Sequence, residues 1–131
     1  MTLPFWCIFI AFILCYASKA PLAIAMAKAG NGRYDNHHPR AQQAKVEGWG
    51  ARALAAHMNS FEGFAPFAAS VLVAHVGHGD PTKSSLLAGL YVVSRVAYIG
   101  CYLADLASLR SILWFVGAAS IGGLFLLPLF A

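Results

Sequence analysis

The sequence predicts an all-α membrane protein, a bundle of four transmembrane helices, and three observations carry that prediction. Of 131 residues, 60% are hydrophobic and only 11% are charged, a balance foreign to soluble domains. The mean hydropathy is +0.66. Four apolar segments, Leu3 to Ala27, Leu54 to Val76, Leu86 to Leu103 and Ser111 to Ala131, each approach the roughly 20 residues that cross about 30 Å of hydrocarbon. They are continuously apolar rather than alternating, which excludes a transmembrane β-barrel. The chain is too short for two domains, so a single domain spanning 1–131, with one long polar loop from 28 to 53, is expected.

In the first segment no Lys or Arg precedes the apolar run, and the run outlasts the apolar core of a secretory signal, so it is read as a retained helix. Phe5 and Trp6 stand where an interfacial aromatic belt would place them. Lys19 is expected to snorkel to the nearer water surface, and Pro21 to kink or fray the last turns. Cys7 and Cys15 are about 12 Å apart along a helix, too far to bridge. Together with Cys101 they are most simply small core residues.

The first loop holds Lys28, Arg33, Arg40, Lys45 and Arg52. The short third loop, on the same side, adds Arg110, whereas the opposite side has only Lys83. The positive-inside rule therefore puts loop one in the cytoplasm and both termini outside. Gly30-Asn31-Gly32 and Asn36 mark turns, and Pro39 stops any helix from running through His38. No metal site is expected. His37 and His38 are adjacent and followed by proline, without the i, i+4 geometry of a helical zinc pair, and His75 and His78 fall at the other end of helix two. The net charge of +4 gathers at membrane edges with no aromatic interleaving, so nucleic acid is not an expected partner.

Helix two carries the polar groups that organise the chain. Ala55, Ala56, Asn59, Glu62, Gly63 and Pro66 recur at the spacing of one helix face, one turn beyond Arg52. An ionised carboxylate in mid-membrane costs roughly 2.5–3.5 kcal/mol even on an insertion scale, so Glu62 requires a cation, a donor network or a wet cleft. Pro66 cannot donate to the Glu62 carbonyl and should bend the helix beside it. The second loop is a short turn in which Thr82 or Ser84 is expected to cap helix three. Helix three aligns Arg95, Tyr98, Tyr102 and Asp105 on one face, and Arg95 is the expected ion-pair partner of Glu62. Helix four is uncharged, with Gly117, Ala118, Gly122 and Gly123 permitting close packing.

The run Ala56-His57-Met58-Asn59, then Glu62, then Pro66-Phe67, resembles the helix-two motif of the MAPEG superfamily, the membrane-associated proteins of eicosanoid and glutathione metabolism. Arg95, Tyr98 and Tyr102, followed by Leu109-Arg110-Ser111, are similar to that family's second signature in order and approximate spacing, and the loop stretch YDNHHPR looks like its uncharacterised bacterial branch. The resemblance implies a homotrimer with sites at subunit interfaces that open toward the cytoplasm, in a bacterial inner membrane. It further implies glutathione as co-substrate, with Arg110 or Ser111 holding the thiolate and Arg52, Asn59, Glu62, Tyr98 and Tyr102 contacting the peptide. The partners would be a second copy of the chain, membrane lipids and a hydrophobic small molecule.

Two readings follow from that resemblance. One is a glutathione-dependent transferase or peroxidase acting on hydrophobic electrophiles. The other is a non-catalytic lipid-binding or scaffold member, favoured by Ala55 and Met58 where several glutathione-using relatives carry arginines. A transporter using Glu62 and Arg95 as a coupling pair ranks last, because no inverted repeat is visible.

Overall fold

A computed structural model describes residues 1–130. Its elements are α1 (Leu3–Ala17), α2 (Lys19–Ala29), α3 (Pro39–Gln43), α4 (Trp49–Val76), α5 (Pro81–Leu103) and α6 (Ala107–Leu126), closed by a 3-10 turn, Leu127–Phe130. Among the described residues there is no strand. Three stretches are long and apolar enough to cross a membrane: Leu3–Ala29, Pro81–Leu103 and Ala107–Phe130. At 28 residues α4 has the length as well. It is less apolar than those three because its polar face dilutes it.

The first span is not one helix. It breaks at Ser18, where a turn separates α1 from α2. Pro21 supplies the reason: its ring and missing N–H disfavour a continuous ladder to Ala17, four residues back. The break therefore falls earlier than a frayed last turn would. In contrast, α4 runs through Pro66 as a single helix, and it starts at Trp49 rather than Leu54. Likewise α5 starts at Pro81 rather than Leu86, and α6 at Ala107 rather than Ser111. Each expected start falls where the apolar run begins, whereas the helices continue into the polar flank. The expected end of helix four at Ala131 lies outside the described residues.

Helix ends follow one pattern. α2, α4 and α5 each stop at a residue in the left-handed region, Asn31 (φ 55), His78 (φ 57) and Asp105 (φ 61). The following N–H then returns to a carbonyl of the last turn, as Gly32 to Ala27 (2.9 Å), Gly79 to Ala74 (2.9 Å) and Leu106 to Cys101 (2.9 Å). These are Schellman-type stops, which satisfy the carbonyls that a helix leaves open. The start of α5 is capped by Asp80, whose Oδ1 accepts from the Lys83 N–H at 2.8 Å, with Pro81 in the first turn. Thr82 and Ser84 are thus not the caps. Pro39, which bars a helix from entering through His38, opens α3 instead.

Helix α4 is central: it packs on α1, α2, α5 and α6, and α5 lies along α6. One core gathers Cys7, Ala11, Phe67, Val71, Tyr91 and Leu124, with Phe67 and Tyr91 stacked at 3.8 Å between ring centroids. A second, of Leu22, Ala25, Met26, Val46 and Ala53, seats α2 and the end of loop one against α4. All three cysteines are free and buried. Gly117 lets α6 approach α5, since a Cβ there would stand 3.2 Å from Ser94 Oγ.

Candidate functional site

Arg95 is the most buried cation of the chain, 6% exposed. Its Nη2 donates to Asn59 Oδ1 at 2.7 Å, and Asn59 Nδ2 donates to Glu62 Oε2 at 3.1 Å. The expected direct Glu62–Arg95 pair is therefore corrected. The amide of Asn59 stands between the two charges, taking the cation on its oxygen and offering its nitrogen to the carboxylate. Axial offset explains this, because Glu62 lies nearly one turn beyond Asn59 on α4 while the guanidinium meets α4 at the asparagine's level. Glu62 itself is exposed.

This relay forms one wall of a cavity of about 230 Å³ lined also by Gly63, Pro66, Tyr91, Trp114, Gly117, Ala118 and Ile121. Tyr91 reaches in so closely that a Cβ on residue 63 would stand 2.8 Å from its hydroxyl, so glycine is what admits the phenol. A second cavity, of about 200 Å³, is lined by Tyr98, Tyr102, Arg110, Ser111, Trp114 and Phe115. Trp114 is common to both. Two arginines lie over tyrosine rings, Arg95 over Tyr98 at 4.2 Å and Arg110 over Tyr102 at 4.5 Å, and the two rings meet edge to face at 5.5 Å. The sequence Arg95–Tyr98–Tyr102–Arg110 is thus a continuous ladder from mid-span to the mouth of α6.

The third-loop stop at Asp105 sets that mouth, turning the chain so that α6 begins at Ala107 and Arg110 folds back over Tyr102. Ser111 Oγ donates to the Ala107 carbonyl at 3.1 Å. Arg52 stands apart: it faces Asp105 at 3.9 Å, its Nε is buried without a partner, and it lines neither cavity. Asn59 and Glu62 are therefore gathered in one cavity, Tyr98, Tyr102, Arg110 and Ser111 in the other, and Arg52 in neither.

Further polar contacts lie where α1, α2, α3 and α4 meet. Ser18 Oγ donates to the Cys15 carbonyl at 2.8 Å and lies 2.9 Å from His57 Nδ1. Lys19 Nζ reaches Gln43 Oε1 at 3.1 Å, and Arg40 Nη1 reaches the same oxygen at 3.4 Å. Lys19 thus points toward the first loop, in the direction a snorkelling lysine takes. Inside that loop Asp35 Oδ1 accepts from the His37 and His38 N–H groups, both at 2.9 Å. The His38 donor foremost, helped by that of His37, holds the Asp35 carboxyl below its ordinary value.

Among the cavity-lining residues that sequence reasoning missed, Tyr91 and Trp114 are the two with a polar group to offer. Both had a signal. Tyr91 precedes Arg95 by one turn on the same face, and Trp114 follows Arg110 by one turn. Searches of curated proteins and of solved structures found no match. The model of the MAPEG family matches residues 3–130. With three apolar helices of spanning length and a match over nearly its whole length, this chain is an integral membrane protein that belongs to the MAPEG family.

Proposed function

We propose that the protein is a glutathione-dependent membrane transferase or peroxidase acting on hydrophobic electrophiles. The observation that carries this reading is Arg110. Its guanidinium leans on the Tyr102 ring in a cavity, beside Ser111, and the one ion pair among the described residues, Arg52–Asp105, does not involve it. A cation without a built-in acceptor is suited to hold a thiolate. The thiol proton leaves to water, the guanidinium stabilises the sulfur anion, and that anion attacks the electrophilic carbon as the leaving group departs with its bonding pair; with a hydroperoxide the sulfur takes the terminal OH as a sulfenic acid while the O–O bond breaks and the alkoxide leaves, protonated by water. Ser111 would have to turn its hydroxyl from Ala107 to donate to the sulfur. Asn59, Glu62 and the tyrosines suit the peptide, with Glu62 matched to its amino group.

Glu62 also supports assembly. In a single chain it is exposed partway along α4, where lipid would leave a carboxylate unsolvated. A second copy of the chain that covers this face, as in a homotrimer, removes the conflict and makes α4 the fourth span. The cations of loop one favour a cytoplasmic loop one and termini on the other side of a bacterial inner membrane. The second reading, a lipid-binding or scaffold member without thiol chemistry, is favoured by Met58, which is 53% exposed and offers no charge.

Titration of the solubilised protein with glutathione, followed by thiolate absorbance in the ultraviolet at neutral pH, decides between them. A stoichiometric signal lost in Arg110→Ala is expected. Saturable binding without thiolate would remove the activation mechanism, and absence of binding would leave the scaffold reading.

A further inference from the structure

A third cavity lies in loop one and shares no residue with the two described above. Its volume is about 440 Å³, and its polar lining is Arg33, Tyr34, Asp35, Gln42 and Lys45, beside Ala29 and Gly30 at the end of α2.

Two observations set it apart from an ordinary loop surface. The first is that its walls are pinned. Gln42 uses both ends of its amide on the facing backbone, accepting from the Asp35 N–H at 2.9 Å and donating to the Arg33 carbonyl at 2.9 Å. The Arg33 N–H in turn donates to the Gly30 carbonyl at 3.2 Å. A Cβ on residue 30 would run into the Gln42 amide, so glycine is what lets α3 close on this backbone. Asp35 is held as well, since its Oδ1 accepts from the His37 and His38 N–H groups. The second observation is charge. Neither Arg33 nor Lys45 has an ion-pair partner among the described residues, where the one salt bridge is Arg52–Asp105. Two cations against the single carboxylate of Asp35 leave the lining with one positive charge in excess.

Position narrows the choice of anion. Ala29 ends the first apolar span, and Val46, next to Lys45, is buried in the core that joins α2 to α4, so the cavity stands at the boundary between lipid and water. Tyr34, 40% exposed, and Trp49, 37% exposed, are the aromatic residues expected at that depth.

We propose that this cavity binds the phosphodiester head of an anionic glycerophospholipid. The Arg33 fork takes two phosphate oxygens, and Lys45 neutralises them as a point charge. One positive charge in excess matches a phosphodiester, which carries a single negative charge, better than a phosphomonoester, which carries nearly two. The Asp35 carboxylate accepts a head-group hydroxyl of the kind a glycerol head supplies, and the acyl chains lie in the bilayer beside α2. The site uses none of the groups assigned to glutathione, and it stands whether or not that chemistry holds.

The test is calorimetric titration of the detergent-solubilised protein with a short-chain phosphatidylglycerol, against the matching phosphatidylcholine and phosphatidylethanolamine and against the deacylated head, glycerophosphoglycerol. Saturable binding of phosphatidylglycerol alone is expected. Arg33→Gln and Lys45→Gln should each weaken it about fivefold, the effect of roughly 1 kcal/mol per cation at a lipid surface. Lys28→Gln should leave it unchanged, because Lys28 is an exposed cation of α2 that does not line the cavity. Arg33 and Lys45 are exposed, so circular dichroism of both variants should match that of the parent protein. Equal weakening by Lys28→Gln would reduce the effect to diffuse attraction between cations and lipid, and would overturn the proposal. Equal binding of either zwitterionic lipid would overturn it too, and glycerophosphoglycerol binding as tightly as the lipid would replace the membrane by a soluble phosphodiester as the source.

Discussion

An arginine over a tyrosine occurs twice in this molecule, and the two instances differ in one respect. At mid-span Arg95 covers Tyr98 and also has an acceptor built in, the Asn59 amide oxygen at 2.7 Å. At the mouth of α6 Arg110 covers Tyr102 and has no carboxylate among the described residues. A buried charge must be satisfied by the fold, whereas a half-buried one at a cavity lip can be satisfied by what enters. Arg95 thereby holds α4 against α5, and under the proposed function Arg110 is the one left for a ligand.

The largest effect should come from breaking the mid-span instance. Asn59→Leu leaves the Arg95 guanidinium buried without its acceptor, a loss of about 1.5–3 kcal/mol. A thermal melt of the solubilised variant should collapse, or the protein should fail to accumulate; a melt equal to that of Arg110→Ala would erase the distinction between the two arginines. Next in size is Tyr102→Leu, which removes the ring beneath Arg110 while keeping the fold. Glutathione affinity should fall a few-fold, the size of a partly exposed cation–π contact of about 0.5–1 kcal/mol, and Tyr102→Phe should restore it. No difference between Phe and Leu would mean that the ring does not position the cation.

Arg52 and Asp105 sharpen the comparison from a third position. Theirs is an ion pair at 3.9 Å with Asp105 largely in water, and a double-mutant cycle should return about 0.2–1 kcal/mol. A larger coupling would show that the third loop, rather than Arg95, secures this part of the bundle. The smallest expected effect is in loop one. Because the folded Asp35 carboxyl lies below its ordinary value, its contribution is present above the unfolded carboxyl range and is lost as pH falls through the lower folded value. The side-chain carboxyl carbon resonance of Asp35 should titrate only below the ordinary aspartate range. A midpoint inside that range would remove the role of the two backbone donors.

Periodicity made much of this legible. The spacing of Asn59 and Glu62, and of Arg95, Tyr98 and Tyr102, identified the faces that the structure turns to the two cavities. A helix period gives the face of a residue but not its height against a neighbouring helix, so the pattern pairs Glu62 with Arg95 whereas Asn59 holds that place. Asp105 shows a related limit. Spacing put it on the α5 stripe, yet it lies past the helix end, in the left-handed stop that turns the chain toward Arg110. The Ser18–His57 contact joins residues far apart in the chain and had no local signal.

The break at Ser18 makes the first span two rods of 15 and 11 residues, about 22 Å and about 16 Å long. Neither alone matches a hydrocarbon layer of about 30 Å, so the joint sits inside the bilayer and the shorter rod carries the chain out of it. Lys19, the first residue past the break, reaches Gln43 of α3, so the first loop is tied to the span at the level of its break rather than at its end.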